Sequence, residues 1–303
     1  MGVIVCRMKF ISPAPKRLLL IVCAICGLLS PTAAFAQRQH TLAGDIRYLR
    51  NFHSKFLNND RDVIVYVPPG YATDTSKRYS VLYLQDGQNL FDGATSYIPG
   101  QEWRIDETTQ KLISERKIVP LIIVGVYNTG KDRVDEYTPV PEPRFKAGGK
   151  GDLYGRFLVE ELKPFIDKTY RTRKDAAHTG LGGSSLGGLI SLYLGLKYPS
   201  VFGKLAVVSP SVWWGDKEIV KDVDAVSRKP HLRIWLDIGT REGRDAKEAQ
   251  GTLEDARLLK ASLLKKGWRD GTDVKYFEAE GAEHNEAAWA ARAAQILEFL
   301  FPR

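Results

Sequence analysis

Thr179-Gly180-Leu181-Gly182-Gly183-Ser184-Ser185-Leu186-Gly187-Gly188 is the stretch on which the reading of this sequence turns. It contains Gly183-x-Ser185-x-Gly187, the spacing of a nucleophile elbow, in which a serine sits on a strained turn between a buried strand and a helix. Glycines suit the flanks of such a turn, because side chains there would collide with the neighbouring strand and helix. Ser184 is the rival position, but its frame ends on Leu186 rather than on glycine, so Ser185 fits better. Five residues of this pattern also occur in ordinary glycine-rich turns. The rest of the chain has to decide.

The chain has 303 residues and 44% hydrophobic content, enough for one sizeable α/β domain. Its first 36 residues differ in kind. Arg7, Lys9, Lys16 and Arg17 form a basic front, 18–29 is an apolar run, and Ala34-Phe35-Ala36 supplies small residues before Gln37. That pattern is a secretory signal peptide, too short for a comfortable membrane span. The expectation is therefore cleavage after Ala36, a single mature domain over 37–303 in the periplasm or outside the cell, and no stable membrane insertion after cleavage. Cys6, Cys23 and Cys26 all lie in the leader, which excludes a disulfide scaffold and a cysteine nucleophile for the mature chain. Removing the leader's four basic residues lowers the net charge from +8 to +4. The remaining charges are interspersed, which is no nucleic-acid footprint.

Periodicity predicts an opening strand within 37–61 and further strands over 63–67, 79–84, 120–126, 205–208, 232–237 and 274–277, with the elbow's own strand before Ser185. Helical spacing falls over 105–115, 153–166, 187–196, 253–266 (ended by Gly267) and 286–301, the last with Asn285 as N-cap. The 140–151 loop carries glycines and prolines without periodicity and reads as a surface or lid loop. Alternating strands and helices give an α/β architecture, a mostly parallel, doubly wound sheet with helices on both faces. Functional groups in such sheets collect at the carboxyl ends of the strands.

A serine nucleophile needs a base, an acid to orient the base, and donors for the developing oxyanion. In this architecture the chain order is Ser, then Asp or Glu, then His. His284 alone among the five histidines lies downstream of Ser185 at a strand end. The acid is expected in the turn after 232–237, where Gly239-Thr240-Arg241-Glu242 makes Glu242 the first choice; Asp237 and Asp245 are alternatives. The oxyanion donors are the backbone N–H groups of Leu186 and, from the loop after 79–84, Gln88. Asp86 stands apart from any carboxylate or histidine cluster, so loop bracing is its expected role, and neither a metal nor an organic cofactor is implied.

On these residues the chain resembles the esterase branch of the α/β-hydrolase superfamily. That branch includes carbohydrate acetyl and feruloyl esterases, S-formylglutathione hydrolases, enterochelin-type siderophore esterases and mycolyltransferases. The resemblance rests on Leu82-Tyr83-Leu84-Gln85-Asp86-Gly87-Gln88-Asn89-Leu90-Phe91, Asp135-Glu136-Tyr137-Thr138-Pro139 and Gly182-Gly183-Ser184-Ser185-Leu186-Gly187-Gly188. It continues in Ser209-Pro210-Ser211-Val212-Trp213-Trp214, Gly239-Thr240-Arg241-Glu242 and Gly281-Ala282-Glu283-His284-Asn285. It implies Ser185 as nucleophile, His284 as base, an acid in the turn after Gly239-Thr240 and an oxyanion amide beside Asp86-Gly87. Members of the branch differ in the identity and placement of the acid, and Glu242 has other carboxylates nearby.

Trp213, Trp214, Trp103, Phe91 and Trp289 fall in or near loops after strands and are the candidates for lining a substrate pocket, with core bracing as the alternative role. Arg133 is expected to pair with Asp135 or Glu136. The resulting expectation is an exported serine carboxylic-ester hydrolase acting on a small-molecule or carbohydrate ester. An acyltransferase on the same scaffold and a siderophore esterase are the alternatives, and a non-catalytic binding protein is the remaining class.

Overall fold

The computed structural model describes residues 39–303; the leader expected over 1–36 lies outside the described residues. Eight strands form the main sheet: β1 (Asp45–Ser54), β2 (Asn59–Val67), β3 (Ser80–Gln85), β4 (Leu121–Val126), β5 (Thr179–Ser184), β6 (Lys204–Val208), β7 (Arg233–Gly239) and β8 (Val274–Ala279). Their spatial order is β1-β2-β4-β3-β5-β6-β7-β8. β2 runs antiparallel to both β1 and β4, and every other pairing is parallel.

Every residue of β3, β4 and β5 is buried, which is why these strands read as continuous runs rather than as alternations. The period of two survives in how the faces divide. Along β2, Val63, Val65 and Val67 join one core while Ile64 and Tyr66 join the other. The first core receives a helical segment over 151–169 (α2), through Phe157, Leu162 and Ile166, and Leu186–Lys197 (α3), through Leu189 and Ile190. Trp214–Ala225 (α4) and Ala246–Lys265 (α5) close the same face with Ile219, Leu259 and Leu263. The second core is closed by Glu286–Leu300 (α6), with Ile296 and Leu297, and by Ile105–Ser114 (α1), with Leu112. Full burial of one such leucine contributes about 1.5–3 kcal/mol.

Four elements differ from the expectation, each for a local reason. The expected opening strand is β1, but β2 starts four residues before the expected 63–67, because Asn59, Asp60 and Arg61 pair with the end of β1. α2 is interrupted by a π turn, Phe157–Leu162, directly before Pro164, whose ring removes a helix donor. α5 begins seven residues before the predicted start, where its N-terminal turns lack large apolar residues and Asp245 supplies the cap by accepting from Glu248 N at 2.8 Å. α4 was invisible to periodicity, since Gly215, Asp216 and Lys217 follow Trp214 with φ of 57°, 53° and 60°. The 140–151 segment also carries structure, a small antiparallel ribbon of Pro141–Glu142 with Ala147–Gly148.

Candidate active site

β5 delivers the chain to Ser185 and α3 leaves from it. Ser185 has φ 60° and ψ −124°, a region that costs a non-glycine residue about 1–3 kcal/mol. The turn is held from both sides: Ser185 N donates to Val208 O (3.0 Å) and Ser211 N donates to Ser185 O (3.1 Å). Close approach requires the first motif glycine and leaves the second tightly packed. A Cβ on Gly183 would lie 2.8 Å from Gln85 Cβ and 3.0 Å from the carbonyl carbon of Gly187. One on Gly187 would lie 3.1 Å from Gln85 Cβ. Leu186 is the first residue of α3, so its N–H has no acceptor within the helix. Ser185 Oγ takes Ser211 Oγ as its hydrogen-bond partner, at 3.3 Å.

β7 ends at Gly239, and the following turn folds Glu242 back beneath it. Glu242 is 3% exposed. Its Oε1 accepts from Gly239 N (2.6 Å) and from Ser209 Oγ (2.5 Å), while Oε2 faces His284 Nδ1 at 2.8 Å. His284 comes from the loop after β8, and its ring packs edge-on against Trp289 with centroids 5.0 Å apart. Asn285, next in the chain, caps α6 by accepting from Ala288 N (2.9 Å), so the helix start fixes the loop that carries the imidazole.

The alternative acid, Asp237, is fully buried and committed elsewhere. It accepts from Ser209 N (3.1 Å) and Trp235 Nε1 (2.6 Å), and Arg292 Nε lies 3.2 Å from it. Burial pushes its carboxyl up to about 6, against the opposing pull of Arg292 and those two hydrogen bonds. Asp245, the third option, is occupied in capping α5.

Ser209 joins the two carboxylates. Its hydroxyl donates to Glu242 and accepts from Arg292 Nη2 (2.8 Å) and Trp289 Nε1 (3.0 Å). Arg292 is 2% exposed and its Nη2 lies 3.7 Å from Glu242 Oε1. One guanidinium therefore faces two buried carboxylates. With both ionised, the cluster carries one excess negative charge, which a proton on His284 would balance.

The loop after β3 packs against the elbow: Asp86 Oδ2 would be 3.5 Å from a Cβ on Gly187. Asp86 sits at φ 56° and is clamped by both Nε and Nη2 of Arg133, each at 2.7 Å, and by Asn128 Nδ2 at 2.6 Å. Loop bracing is its role. Arg133 pairs with Asp86 rather than with the expected carboxylates: Glu136 holds the buried Arg61, and Asp135 holds Lys150. The 3₁₀ turn Gly87–Asn89 starts its bonding at Asn89 N to Asp86 O, which leaves the Gln88 N–H outside the turn's own bonds. Asn89 reaches across to α6, donating to Glu286 Oε1 at 3.0 Å.

Ser185, Ser211, Trp213, Arg241, Glu242 and His284 line one cavity of about 920 Å³. The structure thus brings Ser185, His284 and Glu242 to one place. Of the aromatic residues expected at substrate, Trp213 lines this cavity and is 37% exposed. The others pack instead. Phe91 and Trp103 are buried in the second core, Trp103 against Trp289 with centroids 6.1 Å apart. Trp214 is 2% exposed and donates Nε1 to Val140 O at 2.7 Å. Ser209, Ser211 and Arg292 escaped the sequence reading. The first two lie in the Ser209–Trp214 stretch already singled out, and Arg292 offered only a cation on the apolar side of a helix.

The family follows from a match of residues 54–300 to the sequence model of the family described as "Putative esterase". The chain belongs to this esterase family. It is accordingly an ester-hydrolysing enzyme. It is 30% identical over 249 residues to the uncharacterized protein YbbA of Bacillus subtilis, covering 80% of this chain and 93% of that one. It is 26% identical over 275 residues to an endo-1,4-beta-xylanase/feruloyl esterase of Xylanibacter ruminicola, spanning 88% of this chain but 33% of that protein. The siderophore hydrolase EstA of Aspergillus nidulans shares the fold, with a TM-score of 0.66, 22% identity, and coverage of 85% and 95% of the two chains.

Proposed function

We propose that this esterase is a serine carboxylic-ester hydrolase in which Ser185 is the nucleophile, His284 the base and Glu242 the orienting acid. One observation carries the reading: the 2.8 Å contact of His284 Nδ1 with a buried Glu242, in the same cavity as a serine held at φ 60°. With Nδ1 engaged, the imidazole keeps Nε2 free to accept the hydroxyl proton of Ser185. Substrate displaces the Ser211 contact, and a Ser185–His284 hydrogen bond forms in the bound state. Ser185 Oγ then attacks the ester carbonyl. The oxyanion is received by the N–H groups of Leu186 and Gln88, and the imidazolium returns its proton to the departing alcohol. Water, deprotonated by His284, hydrolyses the acyl-enzyme. Asp237, Ser209 and Arg292 act through Glu242 and are positioning residues.

The substrate is an ester of a small molecule or a carbohydrate, and the chain is exported. Export rests on the basic, apolar and small-residue pattern of 1–36, and N-terminal sequencing of the secreted protein, expected to begin at Gln37, tests it. For the reaction, p-nitrophenyl acetate hydrolysis by wild type and by Ser185→Ala is the test. Activity that survives the substitution at full rate would sink the assignment.

A further inference from the structure

Beyond Trp213 the cavity at Ser185 continues into a second compartment of about 810 Å³, which shares Trp213, Arg244, Glu248 and Thr252 with the first. Each compartment alone falls within the range of about 300–1,000 Å³ that holds a whole small ligand. The second is roofed by the 141–148 ribbon. At its tip Phe145, 57% exposed, stacks on Trp214 (5.7 Å, 13°) and meets Trp213 edge-on (5.9 Å). The ribbon is anchored there by Trp214 Nε1 on Val140 O and by Gly148, where a Cβ would come within 2.7 Å of Trp214. Exposed flat rings are thus held in place on one wall.

The rest of the lining is polar and acidic. The compartment is lined by five carboxylates, Glu142, Asp216, Glu248, Glu254 and Asp255, against the three cations Arg144, Lys217 and Arg244. Each cation is already taken. Arg144 Nε and Nη2 hold Glu142 at 2.9 Å each, Arg244 Nε holds Glu248 at 2.9 Å, and Lys217 holds Asp255 at 2.8 Å. Asp216 has Lys221 Nζ 3.7 Å away, so an anionic ligand meets no uncommitted cation among the lining residues and faces the unbalanced charge of Glu254. A polyol finds acceptors for its hydroxyls and ring faces for its C–H groups.

We propose that this compartment is a second binding site for the uncharged glycosyl portion of the ester, walled by Phe145 and Trp213, and that its charge excludes polyanionic esters such as ferric tris-catecholates. The proposal deepens the serine-esterase reading, because it places the glycosyl group next to Ser185. Binding in the compartment requires no catalysis.

The test is therefore calorimetric titration of the Ser185→Ala protein with xylotetraose, an uncharged probe, and with ferric enterobactin, a polyanionic one. Saturable binding of xylotetraose is expected, weakened about tenfold by adding Phe145→Ala, with no saturable binding of the ferric chelate. Adding Asp216→Lys and Glu254→Lys is expected to admit the chelate. Equal melting temperatures of the variants check that each is folded. No saturable xylotetraose binding, an affinity unmoved by Phe145→Ala, or tighter binding of the chelate than of the sugar would each overturn the proposal. A protein that binds xylotetraose in this way but hydrolyses no ester would refute the esterase reading and leave the compartment's assignment standing.

Discussion

Removing the guanidinium of Arg292 strikes the point where the site and the fold are hardest to separate. Its Nε lies 3.2 Å from Asp237 and its Nη2 3.7 Å from Glu242, with all three side chains at most 3% exposed. At an effective dielectric of about 20 these separations correspond to attractions of about 5 and about 4 kcal/mol, most of which offsets the desolvation of the three groups. Deleting one member of such a buried cluster leaves the others uncompensated and typically costs about 3–5 kcal/mol. Arg292→Met is therefore expected to lower the free energy of urea unfolding by that amount. It also removes the charge that opposes the upward push of burial on Asp237, so that carboxyl rises further. Glu242 keeps Gly239 N but shares Ser209 with no cation, and kcat for p-nitrophenyl acetate is expected to fall at least about tenfold, with KM little changed. Arg292→Lys keeps the charge without the fork and is expected to recover part of both losses. An Arg292→Met protein within about 1 kcal/mol of wild type and with an unchanged kcat would refute the reasoning.

Two further outcomes follow from the same cluster. Glu242→Gln is expected to lower kcat/KM by about 10³–10⁴-fold with a modest loss of stability, whereas Asp237→Asn should keep kcat/KM within about tenfold; steady-state kinetics on both, with melting curves, would expose a reversed pattern. Asp237 also ties stability to pH. Its folded carboxyl keeps a proton up to about 6 while the unfolded one releases it near 3.8, so this group's contribution to stability falls as pH rises through that window and is level above it. Between pH 4 and pH 7 the change is about 2 kcal/mol, and it is read as the change in the wild-type minus Asp237→Asn unfolding free energy between those pH values; a difference independent of pH would count against the raised carboxyl.

Much of the architecture could be read from the chain because burial on both faces writes long apolar runs into β3 and β4, and because α6 announces its start with Asn285. The elbow was legible for a related reason: a Cβ on Gly183 would come within 2.8 Å of Gln85 and has no room, and one on Gly187, at 3.1 Å, fits tightly. What stayed hidden depends on contacts rather than on period. The left-handed turn 215–217 erases the start of α4, and Gly251 and the polar residues around it mask the first turns of α5. Ser209 and Arg292 carry no local signature, since their meaning arises where β6, β7 and α6 meet. The aromatic residues divided on the same principle. Position after a strand placed Trp213 on the cavity, but it could not distinguish that residue from Trp214, whose ring faces the ribbon, or from Phe91 and Trp103, which lie in the second core.

The role of Ser185 is open to one direct measurement: peptide mapping by mass spectrometry after inactivation with diethyl p-nitrophenyl phosphate, which phosphorylates a serine activated by a neighbouring base. The expected result is a single diethylphosphoryl group on Ser185, formed in wild type and lost in His284→Ala. Modification at Ser184 or Ser211, or labelling of Ser185 that proceeds equally without His284, would contradict the assignment.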